Sequence, residues 1–264
     1  MKNLKRWNHY LPVCYQNGFT NSRGKVWIKF FDKSRAEERN PLSVGATRSL
    51  YIVKRSGIEH DDVEDFFEKV VETPFAPLAK RIKEEQNRFA NVTEEELTAL
   101  YTFIAAQLVR TVAHKRCIEE QVGGTVDTNT FVRTFAKQAL GIMETWNVSS
   151  PELQFHTSLP HIGDQFITGD NPVVAIKMND NTLWVPRSDP RLAITDITQF
   201  LNSPNHYFWI SLSPYVCASI TGHGRRPPQL PPRTVDPQFV RFLNDRICDQ
   251  SRIFVLARDK SSLA

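Results

Sequence analysis

Cysteine is scarce. Only Cys14, Cys117, Cys217 and Cys248 occur in 264 residues, and no two of them form a Cys-x-x-Cys pair. That scatter excludes a zinc knuckle and a disulfide framework, and it suits a reducing, cytoplasmic setting. No apolar run approaches the roughly 18 residues that a membrane span needs. The basic start Met1-Lys-Asn-Leu-Lys-Arg-Trp7 is not followed by the apolar stretch of a secretory signal. A membrane is therefore not among the expected partners. Also missing are a Gly-x-Ser-x-Gly elbow, a phosphate-binding Gly-rich loop ending in Lys-Ser or Lys-Thr, His-Glu-x-x-His and Gly-x-Gly-x-x-Gly. These absences remove the α/β-hydrolase, P-loop nucleotidase, zincin and Rossmann dehydrogenase readings. Neither sign of charge dominates: the net charge of +4 allows a nucleic acid or other phosphate-containing ligand without requiring one. No internal repeat is present.

What is present suffices for a sizeable core. Hydrophobic residues make up 41% of the chain and include 17 Phe, against 23% charged residues, which is ordinary for one large or two small globular domains. The central stretch is Phe166-Ile-Thr-Gly-Asp-Asn-Pro-Val-Val-Ala-Ile176, with apolar, strand-prone residues on both sides of a polar tetrad. A strand entering Gly169-Asp170-Asn171-Pro172 must stop pairing, because Pro172 has no N–H to donate and Gly169 loosens the backbone. Asp170 and Asn171 are then held at a strand end, either as a site or as an Asx-type turn between two strands.

Upstream, Pro12 suits the first turn of a short helix that ends near Gly18, which places His9 just ahead of it. Imidazole is the side chain whose ordinary pKa best suits proton transfer near neutrality. Residues 25–31 and 49–54 read as strands able to pair antiparallel, with a loop over 32–48 between them. Residues 61–89 read as two helices split by Pro74 and Pro77. Glu64, Glu68 and Glu72 form an acidic ridge there at successive i, i+4 steps. Such a ridge is either solvated surface or, facing a cleft, a source of metal-ligating oxygens. Thr93-Glu-Glu-Glu96 is a capping box opening a helix that runs to about Glu120. Gln107, Arg110 and His114 share a stripe beside its apolar face, where the guanidinium needs a carboxylate or phosphate. A further helix spans 127–146. After Pro151 the period becomes strand-like over 153–157, 165–168, 173–177, 183–186, 207–214 and 215–221. A basic, Pro-rich loop over 222–232, a helix over 236–249 and a strand over 252–257 follow.

The ordered set His9-Tyr10-x-Pro12, Phe19, Glu64 and Glu72, Gln107-x-x-Arg110, Thr168-x-Asp170-Asn171-Pro172, Leu212-Ser213-Pro214 and Asn244 resembles the bacterial family "domain of unknown function 4238". The hallmarks of that family are an N-terminal His-Tyr-Val-Pro motif and a central Asp-Asn-Pro motif. Leu11 replaces the usual Val, and Arg or Lys and Leu are more usual within the following segment. The resemblance implies a shared fold and a shared polar set, with no known activity attached.

The expected fold is α+β: a helical layer over residues 61–147 packed on a mostly antiparallel sheet, in a single domain over 1–264. Three functional readings stand. In the first, a phosphodiester hydrolase or nuclease gathers His9, Gln107, Arg110 and Asp170 as catalytic groups in one cleft. Tyr10, Asn171 and Asn244 then bind substrate, and Asp170 with Glu64 holds a divalent ion such as Mg²⁺ or Mn²⁺. Glu64 and Asp170 are the first expected carboxylate partners of Arg110. In the second, the same groups form a structural network within a binding or regulatory module. In the third, a sugar- or nucleotide-processing hydrolase uses Asp170 and a glutamate as a carboxylate pair.

Overall fold

The computed structural model describes residues 6–149, 152–159, 164–177, 182–183, 199–200, 203, 206–221 and 232–263. Strand β1 (Trp7–His9) leads into α1 (Val13–Gln16), followed by β2 (Val26–Phe30), β3 (Glu37–Arg39), β4 (Ala46–Arg48), β5 (Val53–Arg55) and β6 (Ile58–His60). The helical region holds α2 (Asp62–Phe66), a π-helical segment (Phe67–Glu72), α3 (Thr73–Glu85), α4 (Glu94–Val109), α5 (Val112–Val122) and α6 (Thr128–Ser149). The remainder is β7 (Glu152–Thr157), β8 (Thr168–Gly169), β9 (Val173–Lys177), β10 (Thr182–Leu183), β11 (His206–Ser213), β12 (Val216–Thr221), β13 (Arg233–Thr234), α7 (Pro237–Gln250) and β14 (Phe254–Ala257).

The α+β class holds. Among the described residues there are, however, four sheets rather than one: a six-stranded sheet ordered β10-β9-β11-β12-β7-β13, a four-stranded sheet β3-β2-β14-β8, and the pairs β1-β4 and β5-β6. All pairings are antiparallel except β13 with β7. The expected pairing of residues 25–31 with 49–54 does not occur. β2 lies between β3 and β14, while β5 turns back at Ser56-Gly57 to pair with β6. Both turn residues have positive φ, at 51° and 79°, so this dipeptide makes a hairpin where a strand end was expected. Residues 32–48 likewise contain β3 and β4.

Pro74 and Pro77 do not split the helical region. Pro74 sits in the first turn of α3, where a missing N–H is tolerated, and Pro77 is carried inside the helix. The segment directly before them is π-helical, with i→i+5 bonding, an uncommon irregularity that often accompanies functional sites. The capping box forms as expected, with Thr93 Oγ1 accepting from Glu96 N and Glu96 reaching back to Thr93 N. The helix it opens stops at Val109, short of the expected Glu120, because Thr111 Oγ1 accepts from His114 N and starts a new helix there. Arg110 is left at the break with φ −91° and ψ −2°. Strands 152–157, 206–213 and 216–221 and helix 237–250 fall close to their expected spans. Residues 184–186 and 222–231, expected as part of a strand and most of the basic loop, lie outside the described residues.

One core joins the N-terminal segment, the helices and the six-stranded sheet, including Tyr15, Phe75, Phe103, Phe131, Phe155 and Phe208. A second, around Phe166, Trp209, Leu243 and Val255, packs α7 under both larger sheets. Among the described residues no helix is long and apolar enough to cross a membrane.

Candidate functional site

The N-terminal motif is fixed by its neighbours before any of its side chains face solvent. β1 pairs with β4, Asn8 Oδ1 accepts from Tyr51 N at 3.1 Å, and Gln16 Nε2 donates to the carbonyls of Leu11 (2.7 Å) and Val44 (2.9 Å). His9 Nε2 stands 3.2 Å from the Leu42 carbonyl oxygen. A carbonyl only accepts, so this contact calls for a proton on Nε2, the tautomer that leaves the lone pair on Nδ1.

Behind this strand lies Arg110, whose side chain is fully buried. Its Nη2 donates to Glu72 Oε1 at 2.9 Å and to the His9 carbonyl at 3.2 Å, and its Nε donates to the Tyr10 carbonyl at 3.3 Å. Gln107 is also fully buried; its amide satisfies both neighbours when the oxygen faces Arg110 Nε (2.9 Å) and the nitrogen faces the Tyr10 carbonyl (3.1 Å). The guanidinium carbon lies 4.5 Å from the Phe67 ring centroid, and the Arg110 carbonyl accepts from Tyr51 Oη at 2.7 Å. The carboxylate partner of Arg110 is thus Glu72, where Asp170 and Glu64 were expected. With its side chain fully enclosed in the core, Arg110 has no path to a phosphoryl oxygen in solution. Arg110 and Gln107 hold the His9–Tyr10 main chain from behind.

In front lies a cleft of about 540 Å³ lined by Arg6, Trp7, His9, Val13, Glu64, Glu68 and Glu72. The acidic ridge therefore does face a cleft, with the imidazole opposite it. Arg6, the one guanidinium in the lining, also pairs with Glu59 at 2.9 Å. Beneath the cleft, burial and then the neighbouring Glu72 charge push the Cys14 thiol up to about 12. Among the described residues no group of three His, Cys, Asp or Glu side chains is arranged to hold a metal ion.

The central motif does something else. Asp170 is fully buried, and its Oδ1 accepts from the backbone N–H groups of Arg252 (2.9 Å), Ile253 (3.1 Å) and Phe254 (3.3 Å). It clamps the turn between α7 and β14 onto β8. Gly169 allows a close approach here: a Cβ would meet Ser251 Oγ at 2.0 Å and the Phe254 carbonyl oxygen at 3.1 Å, and the Ser251 hydroxyl would have to turn away. Burial raises the Asp170 carboxyl above its ordinary value, against the opposing effect of those N–H groups. The Asn171 carbonyl accepts from Gln250 Nε2 at 3.2 Å. Asn244 grips the 165–167 backbone, accepting from Ile167 N at 3.0 Å and donating to the Gln165 carbonyl at 2.8 Å.

Asp170, Asn171 and Asn244 therefore do not line the cleft with His9. The expected Asp170–Glu64 metal pair is not assembled there, and Asp170 cannot serve as one of two substrate-facing carboxylates. Tyr10 lies between the two clusters: it is buried, and its phenol is raised by that burial and secondarily by the Asp170 charge. Its position does not suit substrate binding. The sequence reading missed Trp7 and Arg6 in the cleft lining, since both fall in a basic start with no local pattern. Glu72 was visible as the last step of the ridge and as a member of the motif set, but not as the partner of Arg110.

The family model described as "Protein of unknown function (DUF4238)" matches residues 8–150. That segment carries His9, Tyr10, Glu64, Glu68, Glu72, Gln107 and Arg110, and it ends before Asp170. No curated protein and no solved structure matches. With more than half of its length matched, the chain belongs to the DUF4238 family of proteins of unknown function.

Proposed function

We propose that the acidic cleft is a hydrolytic site working by general acid–base chemistry, with His9 as the proton-transferring group and Glu72 as an oriented carboxylate. One observation carries this reading: the Arg110 guanidinium binds the main chain of His9 and the side chain of Glu72 at once. Strand β1 and the π segment are thereby locked so that imidazole and carboxylate face the same opening. The unprotonated Nδ1 of His9 is the base, and Glu72 orients the water. A phosphodiester or nucleic-acid substrate is repelled by three carboxylates in the lining unless a divalent cation offsets them. Since no three such side chains are arranged to hold a metal ion among the described residues, Mg²⁺ or Mn²⁺ would have to arrive bound to the substrate phosphate.

The test is hydrolysis of a phosphodiester, a phosphomonoester and a carboxyl ester, each with and without Mg²⁺ or Mn²⁺. Activity on any of them that His9→Ala abolishes, in a variant that unfolds at the wild-type temperature, supports the reading. Activity indifferent to His9→Ala, or none at all across the panel, overturns it.

A second reading is favoured by Trp7, which is 67% exposed at the rim of the same acidic lining. An aromatic face beside carboxylates suits a cationic ligand, as in a binding module. Binding of a lysine-rich peptide that Trp7→Ala abolishes, with no turnover of any ester, selects this reading over the first.

A further inference from the structure

A second cavity, of about 310 Å³, shares no lining residue with the acidic cleft and has the opposite character. It lies where the end of α3, the segment after α1, the β11–β12 turn and the residue following β14 meet. Its lining contains Lys83 and Arg258 and no carboxylate. Among the described residues neither cation makes a salt bridge. Lys83 Nζ is tethered to Thr20 Oγ1 at 2.6 Å, which spends one donor and holds the ammonium at the cavity wall. Arg258 lies with its guanidinium carbon 5.9 Å from the Tyr215 ring centroid. Tyr215 Oη accepts from Gln165 Nε2 at 3.1 Å, leaving its own proton free to donate.

Burial first, and then the charge of Arg258, lower the Lys83 ammonium below its ordinary value. Two like charges in one concave wall repel, and an anion between them relieves both. The wall is also built at some cost. Gln86, in the lining, holds φ 53° and ψ −125°, a left-handed backbone that is strained for a residue with a Cβ. Gly18 is forced, because a Cβ there would stand 2.6 Å from the Leu212 carbonyl oxygen and push the segment off β11.

We propose that this cavity binds a small phosphate monoester, its dianion held between Lys83 and Arg258, with Ser22 and Tyr215 donating hydroxyl protons to the remaining oxygens. The site takes up a soluble phosphorylated molecule rather than a nucleic-acid strand, since the cavity is compact and its lining holds two cations rather than an extended track of them.

Calorimetric titration with inorganic phosphate, at ionic strength held constant with chloride, tests it. Saturable one-site binding is expected, weakened about tenfold or more by Arg258→Met, as the loss of one charge-assisted contact implies. Arg258→Lys should recover part of it, and His9→Ala should leave it unchanged, which separates this cavity from the acidic cleft. Lys83→Met should weaken binding similarly, with folding verified by circular dichroism because the Thr20 bond is also lost. The absence of saturable heat with the wild-type chain, or an affinity equal to that of the wild-type chain in both Arg258→Met and Lys83→Met, overturns the proposal. So does a preference for single-stranded DNA over inorganic phosphate that survives both substitutions.

Discussion

Arg110 Nη2 stands 2.9 Å from Glu72 Oε1, with the guanidinium wholly inside the core and the carboxylate at the cleft edge, 23% exposed. The pair makes the cleft wall and the fold one object. Removing one partner of a buried ion pair costs about 3–5 kcal/mol, because a charge is left uncompensated. Glu72→Ala should fall at the low end, about 3 kcal/mol, since water reaches the vacated carboxylate position. Arg110→Met, which keeps contact with Phe67, should cost about 2 kcal/mol or more through the loss of bonds to two carbonyls. The double variant should show about 1–3 kcal/mol of coupling in urea unfolding. Simple additivity would mean the pair does not act as a unit.

Cys14 reports on the same pair. Its thiol is raised to about 12 by burial and then by the Glu72 charge, with Arg110 acting in the opposite direction. A thiol raised so far is almost entirely protonated at pH 8, so alkylation in the native state should be slow. Glu72→Gln removes a raising charge and leaves the lowering one. Alkylation of Cys14, followed by mass spectrometry, should then accelerate; an unchanged or slower rate would contradict the assigned electrostatics.

Asp170 and His9 should separate cleanly by stability. Asp170→Ala strips the acceptor from the N–H groups of Arg252, Ile253 and Phe254 and should cost about 2–4 kcal/mol. His9→Ala loses one exposed side-chain contact, to the Leu42 carbonyl, and should cost less than about 1 kcal/mol. Equal losses in thermal or urea unfolding would refute the division into a structural clamp and an open cleft.

That division marks the limit of what sequence patterns conveyed. The helices over 94–109 and 128–149 and the strands over 152–157, 206–213 and 216–221 announce themselves by period and by the Thr93 cap. The break at Arg110 does not, because Thr111 acts as a cap only once Arg110 turns inward to meet His9 and Tyr10, about 100 residues away. Asp170-Asn171-Pro172 is legible as a strand-ending turn, and the turn is what it proves to be. What a carboxylate grips is set by tertiary contact: the three N–H groups it accepts lie more than 80 residues downstream. The spacing of Glu64, Glu68 and Glu72 shows that they share a face but not that the face borders a cleft, which depends on β1 packing across it.

Acid should weaken this protein well before its exposed carboxylates titrate, through two buried histidines. His114 is enclosed with Nε2 2.9 Å from Gln138 Oε1, and burial lowers it to about 4 against the opposing help of that bond. His156 is lowered to about 4 by burial and then by the Arg233 charge, with Ser219 Oγ at 3.0 Å from Nε2. In the unfolded chain both return toward 6.5. Between these values the unfolded state binds more protons than the folded one, so stability is fully present above about 6.5 and drains as pH falls toward 4. Each histidine should remove roughly 2 kcal/mol between pH 7 and pH 5, since a pKa unit corresponds to about 1.4 kcal/mol. Asp170 runs the other way: its raised carboxyl favours the folded state as it protonates, which offsets part of the loss at the acid end. Urea unfolding at pH 7, 6 and 5 should therefore show a declining midpoint at constant slope. His114→Gln and His156→Gln, neutral at every pH, should each remove about half of the decline whatever they cost at pH 7. A pH dependence that persists undiminished in the double variant would place the acid-sensitive groups elsewhere.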